Sequence, residues 1–193
     1  MAKNNAPKII LLDCDVISHF ITNKCLNDLP VILAPHNCAI LDYVYNEATR
    51  QLSRKIFVDN LIASGAAIKM PFPNTNLAIK QEFALLKNRN YLIGDGERAC
   101  MAVAKHSKDI VASSNFRDVA PYCNANNILY LGTLDILSIA VNKGIYDEAK
   151  CDLFIQEAIK NNKARFPAGV TQMRYYIPKD LSFIETEVIN QAN

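Results

Sequence analysis

The stretch Lys8-Ile9-Ile10-Leu11-Leu12-Asp13-Cys14-Asp15 constrains this chain more than any other. A short apolar run that stops abruptly at acids reads as a strand buried on both faces, the kind that parallel sheets use. In open α/β sheets, ligands gather just beyond the carboxyl ends of such strands. Asp13 and Asp15 fall at that end, and the two-residue repeat of extended chain puts them on one side of it. Two close carboxylates repel each other and are pushed towards protonation unless a cation joins them. The segment therefore predicts a divalent-metal site near the amino terminus.

The rest of the composition is permissive. A chain of 193 residues, half of them hydrophobic, suits one domain with a sizeable core, with or without a terminal extension. No apolar stretch reaches the ~18 residues of a membrane span. The apolar run behind the polar segment Met1–Pro7 ends at Asp13, too soon for a signal-peptide core and its cleavage site. The expectation is a cytoplasmic protein with no membrane association. A formal net charge of +2 neither requires nor excludes nucleic acid, because a local basic stripe is enough to hold a phosphate backbone. The six cysteines form no Cys-x-x-Cys pair, which argues against zinc knuckles and thioredoxin-like centres and favours small buried thiols in a reducing compartment. His19, His36 and His106 have no ligand spacing.

Strands alternate with helices over about residues 8–142. Strands are expected at 8–13, 38–41, 66–70, 109–113 and 127–131. Helices are expected at 16–23, 43–54, 56–64, 75–88, 97–106, 116–123 and 133–142. Residues 24–37 read as a Pro-bounded turn, and Gly94-Asp95-Gly96 as another. Parallel strands need crossover helices, so this rhythm predicts an α/β/α sandwich, doubly wound around a mainly parallel sheet of about five strands. The tail differs: a helix is expected at 147–162 and a strand at 172–177. From Ala158 to Lys179 it carries five basic residues and no acid.

Three further acids fall near the same sheet edge. Glu47 is expected early in the helix after the second strand, Glu97 at a helix start after a Gly-rich turn, and Asp118 at the start of the helix after the fourth strand. Three or four carboxylates meeting there favour Mg²⁺ or Mn²⁺, which prefer oxygen ligands and serve phosphoryl chemistry. Each acid also has a plain structural reading. Asp15 suits a helix cap at Val16, Glu97 suits a first-turn acid favoured by the helix dipole, and Glu47 and Asp118 suit ordinary helix positions.

These pieces resemble the PIN-domain family of metal-dependent ribonucleases, which includes the toxins of many toxin–antitoxin pairs. Leu11 to Ile17 is similar to the opening motif, with Asp13 in the first acidic position and Asp15 where the family often has Asn or Ser. Val44-Tyr45-Asn46-Glu47-Ala48 is similar to the second motif. Gly94-Asp95-Gly96-Glu97-Arg98-Ala99 is similar to the Gly-x-Gly-Glu form of the third, with Glu97 facing the metal. Ile110 to Asp118, followed by Gly132 to Leu137, is similar to the closing strand pair. The resemblance implies an endoribonuclease whose Asp13, Glu47 and Glu97 hold Mg²⁺ or Mn²⁺, with Asp118 as a fourth acid. It also implies an RNA substrate, an antitoxin partner and a homodimer. The chain departs from the family after the fourth strand. Ser113-Ser114-Asn115 stands where aspartates are common, leaving hydroxyls and an amide to position substrate or water. The match covers residues 8–145, dividing the chain into a PIN-like unit, 1–145, and a helical and irregular extension, 146–193, packed on it.

Two other readings compete. Asp13-Cys14-Asp15-Val16 also fits the Asp-x-Asp-x-Val opening of haloacid-dehalogenase-like phosphatases, with Asp13 as nucleophile, Asp15 as acid/base and Lys143 as the lysine. Asp147-Glu148 does not follow a strand of the kind that family needs. The weakened fourth motif also suits a PIN-like domain that binds RNA or protein without cutting.

Overall fold

The computed structural model describes residues 6–89, 93–167 and 169–184. Five strands, β1 (Ile9–Leu12), β2 (Asn37–Leu41), β3 (Ile68–Met70), β4 (Ile110–Ala112) and β5 (Tyr130–Leu131), form one sheet in the order β3-β2-β1-β4-β5. Every pairing is parallel. Ile10, Leu11 and Leu12 are fully buried, as a central strand requires. Each such side chain contributes roughly 1.5–3 kcal/mol of burial free energy, which fixes β1 at the middle of the fold. The chain winds outwards through β2 and β3, then returns to lay β4 on the other side of β1. The order therefore reverses between β1 and β4, the place where open α/β sheets open a crevice. The expected helix-flanked α/β architecture is what the chain adopts, and the sheet expected to be mainly parallel is parallel throughout its described strands.

The helices among the described residues are α1 (Cys14–Thr22), α2 (Leu29–Leu33), α3 (Asp42–Ala48), α4 (Leu52–Ala63), α5 (Leu77–Arg89), α6 (Asp95–Ser107), α7 (Phe116–Ala125), α8 (Thr133–Asn142) and α9 (Glu148–Asn162). α6 is buried from Gly96 to Ala104 and touches β1, β2 and β4. Its small residues, Ala99, Ala102 and Ala104, permit that close approach. α9 lies against α1, where the Phe20 and Phe154 rings meet edge to face at 4.8 Å.

Several boundaries depart from the sequence reading, each for a local reason. The Pro-bounded segment 24–37 is not all turn, because Leu26–Asp28 forms a 3₁₀ turn and α2 follows it with Pro30 in its first turn, where a missing N–H costs nothing. The helix expected at 43–54 breaks after Ala48. There the Thr49 hydroxyl donates to the Tyr45 carbonyl at 2.7 Å and competes with the helix ladder. Gly94-Asp95-Gly96 is not a free turn: Gly94 caps α6, and the helix begins at Asp95. The strand expected at 172–177 is instead a 3₁₀ turn, Met173–Tyr175. The Met173 amide donates to Asp152 Oδ1 at 2.7 Å, and the Tyr175 and Tyr176 amides donate to the Gln172 and Met173 carbonyls, so the segment joins no ladder. At the other edge Gly65 takes φ +74° after α4, the left-handed stop expected of a glycine.

Candidate active site

Asp13 makes both the strand exit and the helix entry. Its amide donates to the Ala112 carbonyl at 2.8 Å, prolonging the pairing of β1 with β4. Its Oδ1 accepts from the Cys14 amide at 2.7 Å in N-cap geometry. The cap expected of Asp15 thus belongs to Asp13, because the helix opens two residues earlier than expected. Asp15 lies exposed in the first turn. Asp13 itself is only 4% exposed.

Ser113 plays the matching part after β4. Its amide donates to the Leu131 carbonyl at 2.9 Å, and its hydroxyl lies 2.8 Å from Asp13 Oδ2 and 3.2 Å from Glu97 Oε1. Two residues on, Asn115 Nδ2 donates to Glu97 Oε2 at 3.1 Å and to Asp118 Oδ2 at 2.9 Å. One hydroxyl and one amide therefore link three acids that lie up to 105 residues apart in the chain. Asp118 stands in the first turn of α7, as expected.

Glu47 sits differently. It is the sixth residue of the short α3 rather than an early one, and its Oε1 accepts from the Gly96 amide at 3.1 Å. That amide is one of the orphan donors at the start of α6, where a carboxylate is also favoured by the dipole. A Cβ on Gly96 would lie 2.7 Å from Glu47 Oε2, so any other residue there displaces the carboxylate. The Glu47 charge still acts on Asp13, but its hydrogen bond goes to α6.

Burial, then the neighbouring Asp15 charge, pushes Asp13 up to about 7. Burial, then Asp13 itself, pushes Glu97 up to about 8. The Ser113 hydroxyl has one proton for two carboxylates, so it cannot donate to both at once. Neither acid has a Lys or Arg ion-pair partner among the described residues. The pair therefore either retains a proton or is joined by a cation. Among the described residues no three Asp, Glu, His or Cys side chains converge on one metal position. Two buried carboxylates with hydroxyl and amide oxygens beside them nevertheless fit a hard divalent ion, since Mg²⁺ is commonly held by one or two carboxylates and keeps several waters.

Ser114 turns away from the acids. Its hydroxyl meets Thr133 Oγ1, and both face His19 Nδ1, at 3.5 and 2.9 Å. Burial pushes His19 down, towards the neutral imidazole. Sequence reasoning missed this cluster, because His19 and Thr133 meet only when β5 brings α8 beside α1. It also missed Asp135, which is fully buried. Asp135 Oδ2 accepts from the Gly132 amide at 2.8 Å, Oδ1 accepts from the Tyr176 hydroxyl at 2.7 Å, and Lys179 Nζ lies 3.1 Å from Oδ2. The acid-free basic tail was the available signal, yet nothing in it pointed to Asp135 as the partner.

Lys143 donates to the Ile32 and Ala34 carbonyls at 2.8 and 2.6 Å, ahead of β2 and so at the amino edge of the sheet. Asp147 caps α9, accepting from the Lys150 amide at 2.7 Å. The lysine assigned in the phosphatase reading therefore lies at the edge of the sheet opposite Asp13.

A cleft of about 420 Å³ opens next to the acids, between α1, the turn into α7 and the stretch after α9. Asp15, Asn115, Arg117 and Arg165 are among its lining residues.

No protein-family model matches the chain, and comparison with curated proteins finds no match. Among solved structures, the chain is similar to one in the crystal structure of VapBC2 from Rickettsia felis bound to a DNA fragment from their promoter. The identity is 13%, the match covers 64% of this chain and 98% of that one, and the TM-score is 0.46. Among the described residues no helix is long and apolar enough to cross a membrane.

Proposed function

We propose that this protein is a divalent-metal-dependent endoribonuclease of PIN type that hydrolyses RNA phosphodiester bonds. The observation that carries the reading is the meeting of two buried acids, Asp13 and Glu97, at the Ser113 hydroxyl, at the carboxyl edge where the strand order reverses. Asp13 and Glu97 would hold the Mg²⁺ or Mn²⁺ ion, with Asp118 reached through Asn115 and with Glu47 adding negative charge. A bound ion supplies Lewis acidity to the phosphodiester and lowers the pKa of water.

The residues themselves do the remaining work. Asp13 and Glu97 give up the proton they retain when a cation arrives, so the site opens to metal as pH rises through about 7 to 8. Ser113 fixes Asp13 Oδ2, and Asn115 fixes Glu97 and Asp118, which limits the rearrangement needed during the reaction. Asp15 and Ser114 remain proposed positioning groups at the cleft. The preference for RNA, the toxin role, the antitoxin partner and the homodimer rest on the sequence resemblance. So does the division into a catalytic unit, 1–145, and an extension, 146–193.

The test is cleavage of a labelled RNA by the full chain with Mn²⁺, with EDTA and with Asp13→Asn. Cleavage should need Mn²⁺ and vanish in the variant. Undiminished cleavage in either control sinks the mechanism. Metal binding without any cleavage would leave the non-cutting RNA- or protein-binding alternative.

A further inference from the structure

The cleft beside the acids has a wall that the family resemblance does not reach, because residues 162–167 lie beyond its end at 145. The cleft is lined by groups of both charges. Asp15 lines it two residues on from Asp13, and Asn115 belongs to both the cleft and the acid network. Arg117, Lys163 and Arg165 line it too, all exposed, and none has an acidic partner among the described residues. The rest of the lining includes aromatic and polar side chains. Phe166 stands edge-on to His19, with ring centroids 5.9 Å apart and planes at 63°. Asn162 gives its Nδ2 to the Ser18 carbonyl at 3.4 Å, and its buried Oδ1 has no hydrogen-bond partner. A buried acceptor without a donor costs free energy unless a ligand or water satisfies it.

These features suit a nucleotide. A volume of about 420 Å³ lies within the usual range for small-ligand sites. Arginines without carboxylate partners take phosphate oxygens well. Aromatic faces stack on any base, and a neutral amide oxygen accepts from a base N–H. A base can enter such a cleft only when it is free of its own pair and stack.

We propose that this cleft is a nucleotide subsite, which takes the unpaired base and phosphate neighbouring the scissile phosphodiester and in which Asn162, Arg165 and Phe166 make the enzyme selective for unpaired strand. The proposal deepens the nuclease reading and rests on it. The acids beside the cleft hold the phosphate to be cut, and the Arg165 guanidinium takes the next one. Phe166 and Asn162 lie beside the base.

The test separates binding from cleavage. Anisotropy of a labelled single-stranded oligoribonucleotide, in EDTA, is measured over a salt series for wild type, Arg165→Ala and Phe166→Ala, with the matching duplex as a second probe. Wild type should favour the single strand. Phe166→Ala should weaken single-strand binding about tenfold and leave duplex binding unchanged. Arg165→Ala, an exposed substitution that keeps the fold, should lower the slope of log K against log salt by about 0.7. With Mn²⁺, both variants should raise KM and hold kcat. Equal wild-type affinity for duplex and single strand overturns the subsite, as does an unchanged salt slope in Arg165→Ala. If wild type binds as expected in EDTA but never cleaves with Mn²⁺, the nuclease reading fails while the subsite stands.

Discussion

Replacing Asp13 with Asn should stabilise the metal-free protein at alkaline pH. In the fold, Asp13 keeps its proton up to about pH 7, whereas the unfolded chain releases it near 3.8. Between those values the folded state binds more protons than the unfolded one. Its stability therefore falls as pH rises through the window, and the loss is complete above it. A shift of about three units corresponds to roughly 4 kcal/mol at 1.36 kcal/mol per unit. Because the Asp13 charge also raises Glu97, the two effects overlap, and about 2–4 kcal/mol is the expected range for Asp13→Asn at pH 8, falling towards zero at pH 4.5. Asn keeps the cap, since its side-chain oxygen still accepts from the Cys14 amide, and it matches Asp in volume. For a chain of this size the gain is about 5–15 °C in Tm. Thermal unfolding in EDTA from pH 4.5 to 8 reads it directly. Mn²⁺ should then stabilise wild type but not the variant, since binding to the native state alone raises stability. Parallel Tm–pH curves for wild type and Asp13→Asn would refute the reasoning, because no buried, strained acid would then be present.

Other perturbations follow from the same geometry. Gly132→Ala would place a Cβ 2.0 Å from Phe116 Cζ, so the ring or the β5–α8 turn must move. A loss of about 1–3 kcal/mol is expected in denaturant unfolding. Asp135→Ala leaves Lys179 as a buried charge without its counterion and frees the Tyr176 hydroxyl, so a loss of roughly 3–5 kcal/mol is expected by the same measurement. Ser113→Ala removes the hydroxyl bond that pulls Asp13 and Glu97 down, so the pH midpoint of Mn²⁺ binding should rise, as calorimetry across pH 6–9 would register.

The sequence by itself determined the class of the fold, a parallel sheet of about five strands wrapped in helices, while the order of the strands came from the tertiary structure. The run Ile9–Leu12 is short, apolar and ends at acids, which reads as a buried strand. The alternation behind it left a parallel sheet as the economical way to bury the helices. Asp13 was also legible, because an acid that ends a buried strand must lie at the carboxyl edge. What local pattern could not show was how distant groups share hydrogen bonds. Glu47 looked like a metal-facing acid in its motif, yet its carboxylate is drawn to the Gly96 amide, a donor that exists only because α6 begins beside α3. The hydroxyl and amide after β4 looked like a loss of charge. Packing turns them into the links that join Asp13, Glu97 and Asp118. Asp135, Tyr176 and Lys179 form their buried cluster because the tail folds back over β5 and α8, a contact with no periodicity to announce it. Helical and strand patterns record which face of an element is buried. Which polar group meets which across the fold depends on long-range closure, and only the tertiary structure decides that.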